Sequence, residues 1–329
     1  DLAQRLLIFG MHVHVGIEDH EFAIDALNVA RYFLPHLLCL STSSPFWIGR
    51  NTGLKSYRST IFRGFPRTGI PTRLSGWAEF QEYIDTLTAV GSIPDGSKIW
   101  WDARPHHKYP TLEFRLCDAC TRVDEAVCVA AIIQALVYKL WKMRLDNVTW
   151  RDYSSRLIDE NKWRAMRFGL AGSMIDFGRQ VEKPAPELIR EFIEWFLGDV
   201  VDELGTRKEV EYAYRILGEG SSADRQLATY ARTGSLEAVV DQIIAETAEG
   251  VTVIPRSELR PVDRRVADAP DGRPPGEADR RRDGDGDADG VVHVPGPSIR
   301  IGDLELGRPS PLLAGAAGVP PLPAAPGVH

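Results

Sequence analysis

The sequence predicts an α+β fold: an antiparallel sheet with packed helices, followed by a disordered C-terminal tail. Three observations carry this. Short stretches rich in β-branched and aromatic residues alternate in polarity with a period of two: LLIFGMHVHVGI near the start, WWDARP and TLEFRL further on. Longer stretches between and after them repeat their apolar residues at helical spacing. The composition then changes near residue 255 to a run rich in Arg, Asp, Gly, Pro and Ala without aromatic residues. Such a run buries too little apolar area to offset its ordering entropy.

The elements follow in order. Residues 6–17 read as the first strand. Asp19 suits the N-cap of a helix over 20–40, which Pro35 should kink. Residues 43–71 are a long irregular stretch in which arginines mix with Gly, Pro and aromatics, and loops of that length are usually functional. A helix is expected over 77–90. Two strands, 98–104 and 111–117, are joined by a turn bounded by Pro105 and Pro110. Thr121 with Asp124 resembles a capping box that opens an apolar helix to about Met143. The remainder to about residue 249 reads as helical, with N-cap signals at Ser221 (with Asp224) and at Ser235. This divides the chain into a folded domain, 1–254, and a disordered low-complexity tail, 255–329.

Composition excludes several classes. Hydrophobic residues make up 43% of the 329, enough for a real core. The formal net charge of −7 argues against nucleic acid as a partner, because no basic excess is available to neutralise phosphates. No apolar run approaches a membrane span, and no signal peptide is evident, so a cytoplasmic protein with reduced thiols is expected. Cys117 and Cys120 form a CxxC, but no second pair accompanies them, and zinc is not expected. Cys39 and Cys128 fall in apolar helical patterns as core residues. The DGDGDADG run at 283–290 lacks the Glu that closes a calcium-binding EF-hand loop and reads as a solvated linker.

The chemistry sits on the strands. Residues i and i+2 of a strand share a face. His12 and His14 therefore face one way, with Val13 and Val15 opposite. Glu113 and Arg115 share a face, with Leu112, Phe114 and Leu116 turned to the core, and Asp102 and Arg104 pair likewise. If the three strands lie in one antiparallel sheet, one face is apolar and the other carries His, Glu, Asp and Arg. A carboxylate with a neutral imidazole can hold a divalent metal. Arginines clamp phosphoryl oxygens. Taken singly, each pair also fits an ordinary solvated strand or a cross-strand salt bridge.

Five blocks carry a resemblance to a known family: GMHVHVG, SSPFWIGRNTG with SYRS, WWDARPHHKYPTLEFRLCDACTR, NKWRAMRFGL and ADRQLATYARTGSLEAVVD. In this order they resemble the bacterial carboxylate–amine ligases of the glutamate–cysteine ligase type 2 family, a branch of the glutamine synthetase superfamily. The resemblance spans about residues 5–249. It implies a glutamine synthetase-like antiparallel sheet whose concave face carries ATP, metal and the acid substrate. It implies that His12 and Glu113 ligate one Mg2+ and that His14 touches the ATP phosphates. Arg115 would bind the transferred phosphoryl group and Arg104 a further phosphate, which makes these two the catalytic arginines. Tyr57, Arg58 and Arg63 would help bind the acid substrate.

The implied reaction joins glutamate and an amine such as cysteine through an acyl phosphate, releasing ADP and phosphate. Relatives form oligomers, so a homo-oligomer is compatible with the resemblance. Family members usually begin with a strand of the type GVExE that carries carboxylates for another metal site, and residues 1–11 contain no such strand. A competing expectation is therefore an inactive member that at most binds nucleotide. A metal hydrolase of the HxH type would need further ligands and a base, and none stands out.

Overall fold

The structure is a computed structural model and describes residues 6–249. The expected tail, 255–329, and the acidic run within it lie outside the described residues. In chain order the elements are β1 (Val13–Gly16), α1 (His20–Ala30), α2 (Leu34–Ser41), β2 (Phe46–Trp47), β3 (Arg50–Asn51), α3 (Tyr57–Arg63), β4 (Thr68–Gly69) and α4 (Trp77–Ala89). Then follow β5 (Trp100–Trp101), β6 (Ala103–Pro105), β7 (Thr111–Phe114), α5 (Val123–Leu145), α6 (Ser155–Phe168), β8 (Ser173–Asp176) and β9 (Val181–Pro184). The described chain closes with α7 (Ala185–Glu191), α8 (Arg207–Glu219), α9 (Ser222–Thr233) and α10 (Leu236–Ala248). This is the α+β class that the alternating patterns predict.

The central sheet has the order β1-β7-β6 and is antiparallel throughout. Its apolar face carries Val15, Ala103, Leu112 and Phe114, all buried in the main core. The long helix α5 supports the sheet and packs on β1, α1, α2 and α8. Its Val129, Ile132, Ile133 and Leu136 are fully buried. Burying a side chain of that size contributes about 1.5–3 kcal/mol, which is why the apolar stripe decides where α5 lies. The polar face is thereby left to the site.

Several boundaries differ from expectation, each for a local reason. The first strand is shorter, because Gly10 bridges Asp118 while Val13 pairs with Phe114. The in-line partner of Gly10 would be Cys117, so one extra residue on the β7 side makes a bulge. The helix expected over 20–40 breaks at a 3-10 turn over Arg31–Phe33, and Pro35 stands in the first turn of α2, where its missing N–H costs nothing. Asp19 caps α1 by accepting from the Phe22 amide. The irregular stretch 43–71 contains a hairpin, β2–β3, a short helix, α3, and strand β4.

The strand expected over 98–104 is split. Trp100 and Trp101 pair in parallel with β4, and only residues beyond Asp102 join β7. The α5 cap lies one residue later than expected: the Arg122 amide donates to Glu125, and Thr121 instead donates to Glu246 at 2.7 Å. The stretch read as helical to 249 also contains a hairpin, β8–β9. Caps at Ser221 and Ser235 are as expected, with Ser221 and Asp224 forming a capping box. Among the described residues no helix is long and apolar enough to cross a membrane.

Candidate active site

Strand register sets out the polar face as three rows. His14 pairs with Glu113, and Glu113 with Arg104. One step towards the start of β1, His12, Arg115 and Asp102 form a second row; the Arg115 amide donates to the Asp102 carbonyl at 2.8 Å. One step the other way, Gly16 pairs with Thr111, and the His106 amide donates to the Thr111 carbonyl at 2.9 Å.

Glu113 is the hub. Its Oε1 lies 3.2 Å from His12 Nδ1, 3.7 Å from His14 Nε2 and 2.5 Å from Arg115 Nη1. Its Oε2 accepts from Arg104 Nε at 2.8 Å. Glu113, Arg104 and Arg115 are all buried. Burial opposes ionisation of Glu113, but the His12 hydrogen bond and the charges of Arg115, Arg104 and His14 outweigh it and hold the carboxyl well below the usual range. Arg104 is fixed from behind, since its Nη1 donates to the carbonyls of Ser97 (2.8 Å), Gly96 (3.5 Å) and Ile99. Burial lowers the His14 pKa despite the attraction of Glu113, which favours the neutral imidazole. His14 Nδ1 lies 3.0 Å from Thr111 Oγ1, so the ring is held on both sides.

The five polar strand residues expected to form the site, His12, His14, Arg104, Glu113 and Arg115, thus stand together. The three residues of α3 do not join them as a group. The Arg58 guanidinium is buried and donates to the carbonyls of Arg115 (3.2 Å) and Leu116 (3.1 Å), fastening the end of β7. It also fills the space beside Gly10, where an added Cβ would stand 2.1 Å from Arg58 Nη2. Gly10→Ala is therefore expected to cost about 1–3 kcal/mol through overpacking, measured by urea denaturation; an unchanged midpoint would contradict this packing. Tyr57 packs near Trp47, with ring centres 5.6 Å apart. Arg63 is half exposed and pairs with Asp159 at 2.6 Å. Tyr57 and Arg58 line a cavity of about 440 Å3 with Ser43, Ser44, Asp118 and Gln226.

Two buried groups were not expected from sequence. Lys162 of α6 reaches Asp102 with Nζ 2.6 Å from Oδ2, both side chains buried. Asp118 accepts from the Ser43 amide and from the hydroxyls of Ser44 and Ser56. Lys162 lies in NKWRAMRFGL and Asp118 in LCDACTR, but nothing local to either block signals its partner.

The residues suit a divalent ion of the magnesium kind. His12 and Glu113 provide one imidazole and one carboxylate. Among the described residues no group of three His, Cys, Asp or Glu converges to hold a metal. Mg2+ is commonly held by one or two protein carboxylates and completed by water and substrate phosphates.

The chain was compared with known families and curated relatives. The family model described as "Glutamate-cysteine ligase family 2" matches residues 1–242. A relative from Herpetosiphon aurantiacus, named "Putative glutamate--cysteine ligase 2", is 56% identical over 251 residues, covering 76% of this chain and 65% of its own. Relatives of the same name from Roseiflexus castenholzii and from another Roseiflexus strain are each 58% identical, covering 77% and 76% of this chain. The chain spans 66% of the length of each of those two, just under two thirds. The polar rows on an antiparallel sheet and a match over most of the chain lead to one conclusion: this chain belongs to glutamate-cysteine ligase family 2.

Proposed function

We propose that the chain serves an ATP-dependent carboxylate–amine ligase that joins glutamate to an amine, with cysteine the leading candidate, through an acyl phosphate. The observation that carries this is the convergence of His12, His14, Arg104 and Arg115 on the buried Glu113. Phosphoryl transfer needs positioning and electrostatic stabilisation more than covalent help from the protein. Preorganised arginines are the groups that supply these.

His12 and Glu113 would hold Mg2+, which when bound neutralises phosphate charge. His14, neutral and held by Thr111, offers a ring N–H to phosphate oxygen. Arg115 and Arg104 stabilise charge on the transferring group. The γ-carboxylate of glutamate attacks the γ-phosphorus of ATP, the bond to the ADP oxygen breaks, and an acyl phosphate forms. The amine nitrogen then attacks the acyl carbon, phosphate leaves, the nitrogen loses a proton, and an amide remains. Tyr57, with Arg58 beside it, lines the cavity assigned to the acid substrate. Arg63 is assigned a substrate contact on the resemblance alone. All four cysteines are free thiols, which suits work in the reducing cytoplasm.

Trapping tests the chemistry. Glutamate, MgATP and hydroxylamine are expected to yield γ-glutamyl hydroxamate with the chain, detected by mass. ATP turnover without hydroxamate would contradict an acyl phosphate. His12→Ala is expected to weaken ATP binding in magnesium by at least tenfold and to leave binding in EDTA unchanged. An equal loss in both conditions would remove His12 from the metal.

A further inference from the structure

A cavity of about 590 Å3 lies apart from the polar face, among α2, α7, the β8–β9 turn and the chain that joins α5 to α6. No residue of the three rows lines it, and it shares no lining residue with the cavity of Tyr57 and Arg58. Its size falls within the usual range of small-molecule sites, about 300–1,000 Å3. Its walls are aromatic. Phe33 stacks on Phe192 with ring centres 4.5 Å apart, and Phe196 lies 4.9 Å from both Phe33 and Trp150. Tyr32 is 5.8 Å from Trp150. Part of this wall comes from an irregularity. The chain leaves α7 through a π-helical turn over Phe192–Phe196, in which the Leu197 amide donates to the Phe192 carbonyl at 3.1 Å. Gly198 permits this, since a Cβ there would collide with the Glu194 carbonyl oxygen. Such turns are rare and frequently mark functional sites.

The polar groups left open in the cavity are donors. The Trp150 indole Nε1 is buried without a hydrogen-bond partner among the described residues, whereas a buried indole N–H usually has one. Asp176, Arg179 and Glu191 satisfy one another: Arg179 Nη1 lies 3.1 Å from Asp176 Oδ2 and 3.0 Å from Glu191 Oε2. Arg151 has no ion pair among the described residues, and its guanidinium stands 5.6 Å from the Tyr153 ring centre. Burial pushes the His36 pKa down to about 4, so this ring adds no charge at neutral pH. Arg151 is therefore the uncompensated charge of the cavity, next in sequence to the unpartnered Trp150. Trp195 completes the wall at 6.4 Å from Trp150 but is 75% exposed. That leaves a large indole face open to a flat molecule.

We propose that this cavity binds a planar aromatic carboxylate, with its rings between the aromatic walls and its carboxylate on Arg151 and the Trp150 N–H. Flat rings gain from offset and edge-on contacts with aromatic side chains beyond the area they bury. A guanidinium matches a carboxylate through paired N–H donors. Aromatic walls alone would equally suit an organic cation. Here, however, both carboxylates of the cavity are already held by Arg179, and Arg151 would repel a cation. The site is separate from the ligase chemistry, and the proposal stands whether or not the chain turns over ATP.

The probe is 2-naphthoate, with binding measured by calorimetry on the full chain. It is expected to bind with a Kd below about 1 mM, a bound set by a modest yield per ligand atom. Cyclohexanecarboxylate keeps the charge without the flat rings, and 2-naphthamide keeps the rings without the charge. Each is expected to bind at least about fivefold more weakly. Arg151→Gln is expected to weaken naphthoate binding about five- to tenfold and to leave 2-naphthamide within about twofold. Trp195→Ala should weaken both about three- to tenfold. Both side chains are exposed, so neither change should move the melting temperature. Saturating MgATP and glutamate should leave naphthoate binding unchanged. No binding of naphthoate up to about 1 mM would overturn the proposal. So would affinity unchanged in both variants, or displacement by MgATP. Binding of tetramethylammonium in place of naphthoate would reveal a cation site and overturn it as well.

Discussion

Glu113→Gln is expected to lower stability by about 3–5 kcal/mol and to abolish turnover. The stability figure is that of removing one partner from a buried ion pair. Glu113 serves two buried guanidiniums at once, with Arg115 on Oε1 and Arg104 on Oε2. Glutamine keeps the shape but removes the charge, and it turns an amide N–H2 towards one of the arginines. The loss is read from urea denaturation. Its pH dependence is a second test. The folded carboxyl is held below its ordinary value, so its contribution is complete above the unfolded value of about 4.3 and is lost as pH falls through the lowered folded value. The gap between wild type and Glu113→Gln should therefore be flat from pH 5 to 9 and narrow below about pH 4. A gap that closed between pH 6 and 8 would contradict this arrangement.

Lys162→Met is the other large effect, and sequence alone did not suggest it. The substitution leaves the Asp102 carboxylate buried without its ammonium, 2.6 Å away in the native chain. A loss of about 3–5 kcal/mol is expected. Asp102→Asn combined with Lys162→Met removes both charges and should recover all but about 1 kcal/mol. The double-mutant cycle isolates the coupling. Because the Asp102 carbonyl accepts the Arg115 amide at 2.8 Å, the single variant should also lower kcat more than it raises the KM for ATP. Additive losses in the cycle would show that the two groups do not depend on each other.

The site was legible where period-two alternation applied. His12 and His14, and Glu113 with Arg115, alternate with residues that have to be buried, so burial of Val15, Leu112 and Phe114 turns the polar set to one face. Arg104 followed by the same rule, even though its strand proved shorter. Helix starts at Asp19, Ser221 and Ser235 were legible because the capping oxygen lies within three residues of the amide it accepts from. The rest depends on distance along the chain. Lys162 meets Asp102 across 60 residues, a pairing set by how α6 docks. The resemblance assigns Arg58 to the acid substrate, but no local pattern shows where its guanidinium packs. Its place beside Gly10 follows from tertiary packing. The β8–β9 hairpin was hidden because its four-residue strands, SMID and VEKP, show no apolar–polar alternation to set against the flanking helical pattern.

Passage of the γ-carboxylate oxygen into phosphate distinguishes acyl-phosphate formation from simple ATP hydrolysis. The chain is incubated with MgATP, cysteine and glutamate labelled with 18O in the γ-carboxyl. γ-Glutamylcysteine is expected together with phosphate carrying one 18O from the carboxylate, because attack on the γ-phosphorus makes that oxygen part of the leaving phosphate. ADP with unlabelled phosphate would contradict it, since the nucleotide would then be cleaved without the glutamate carboxylate taking part.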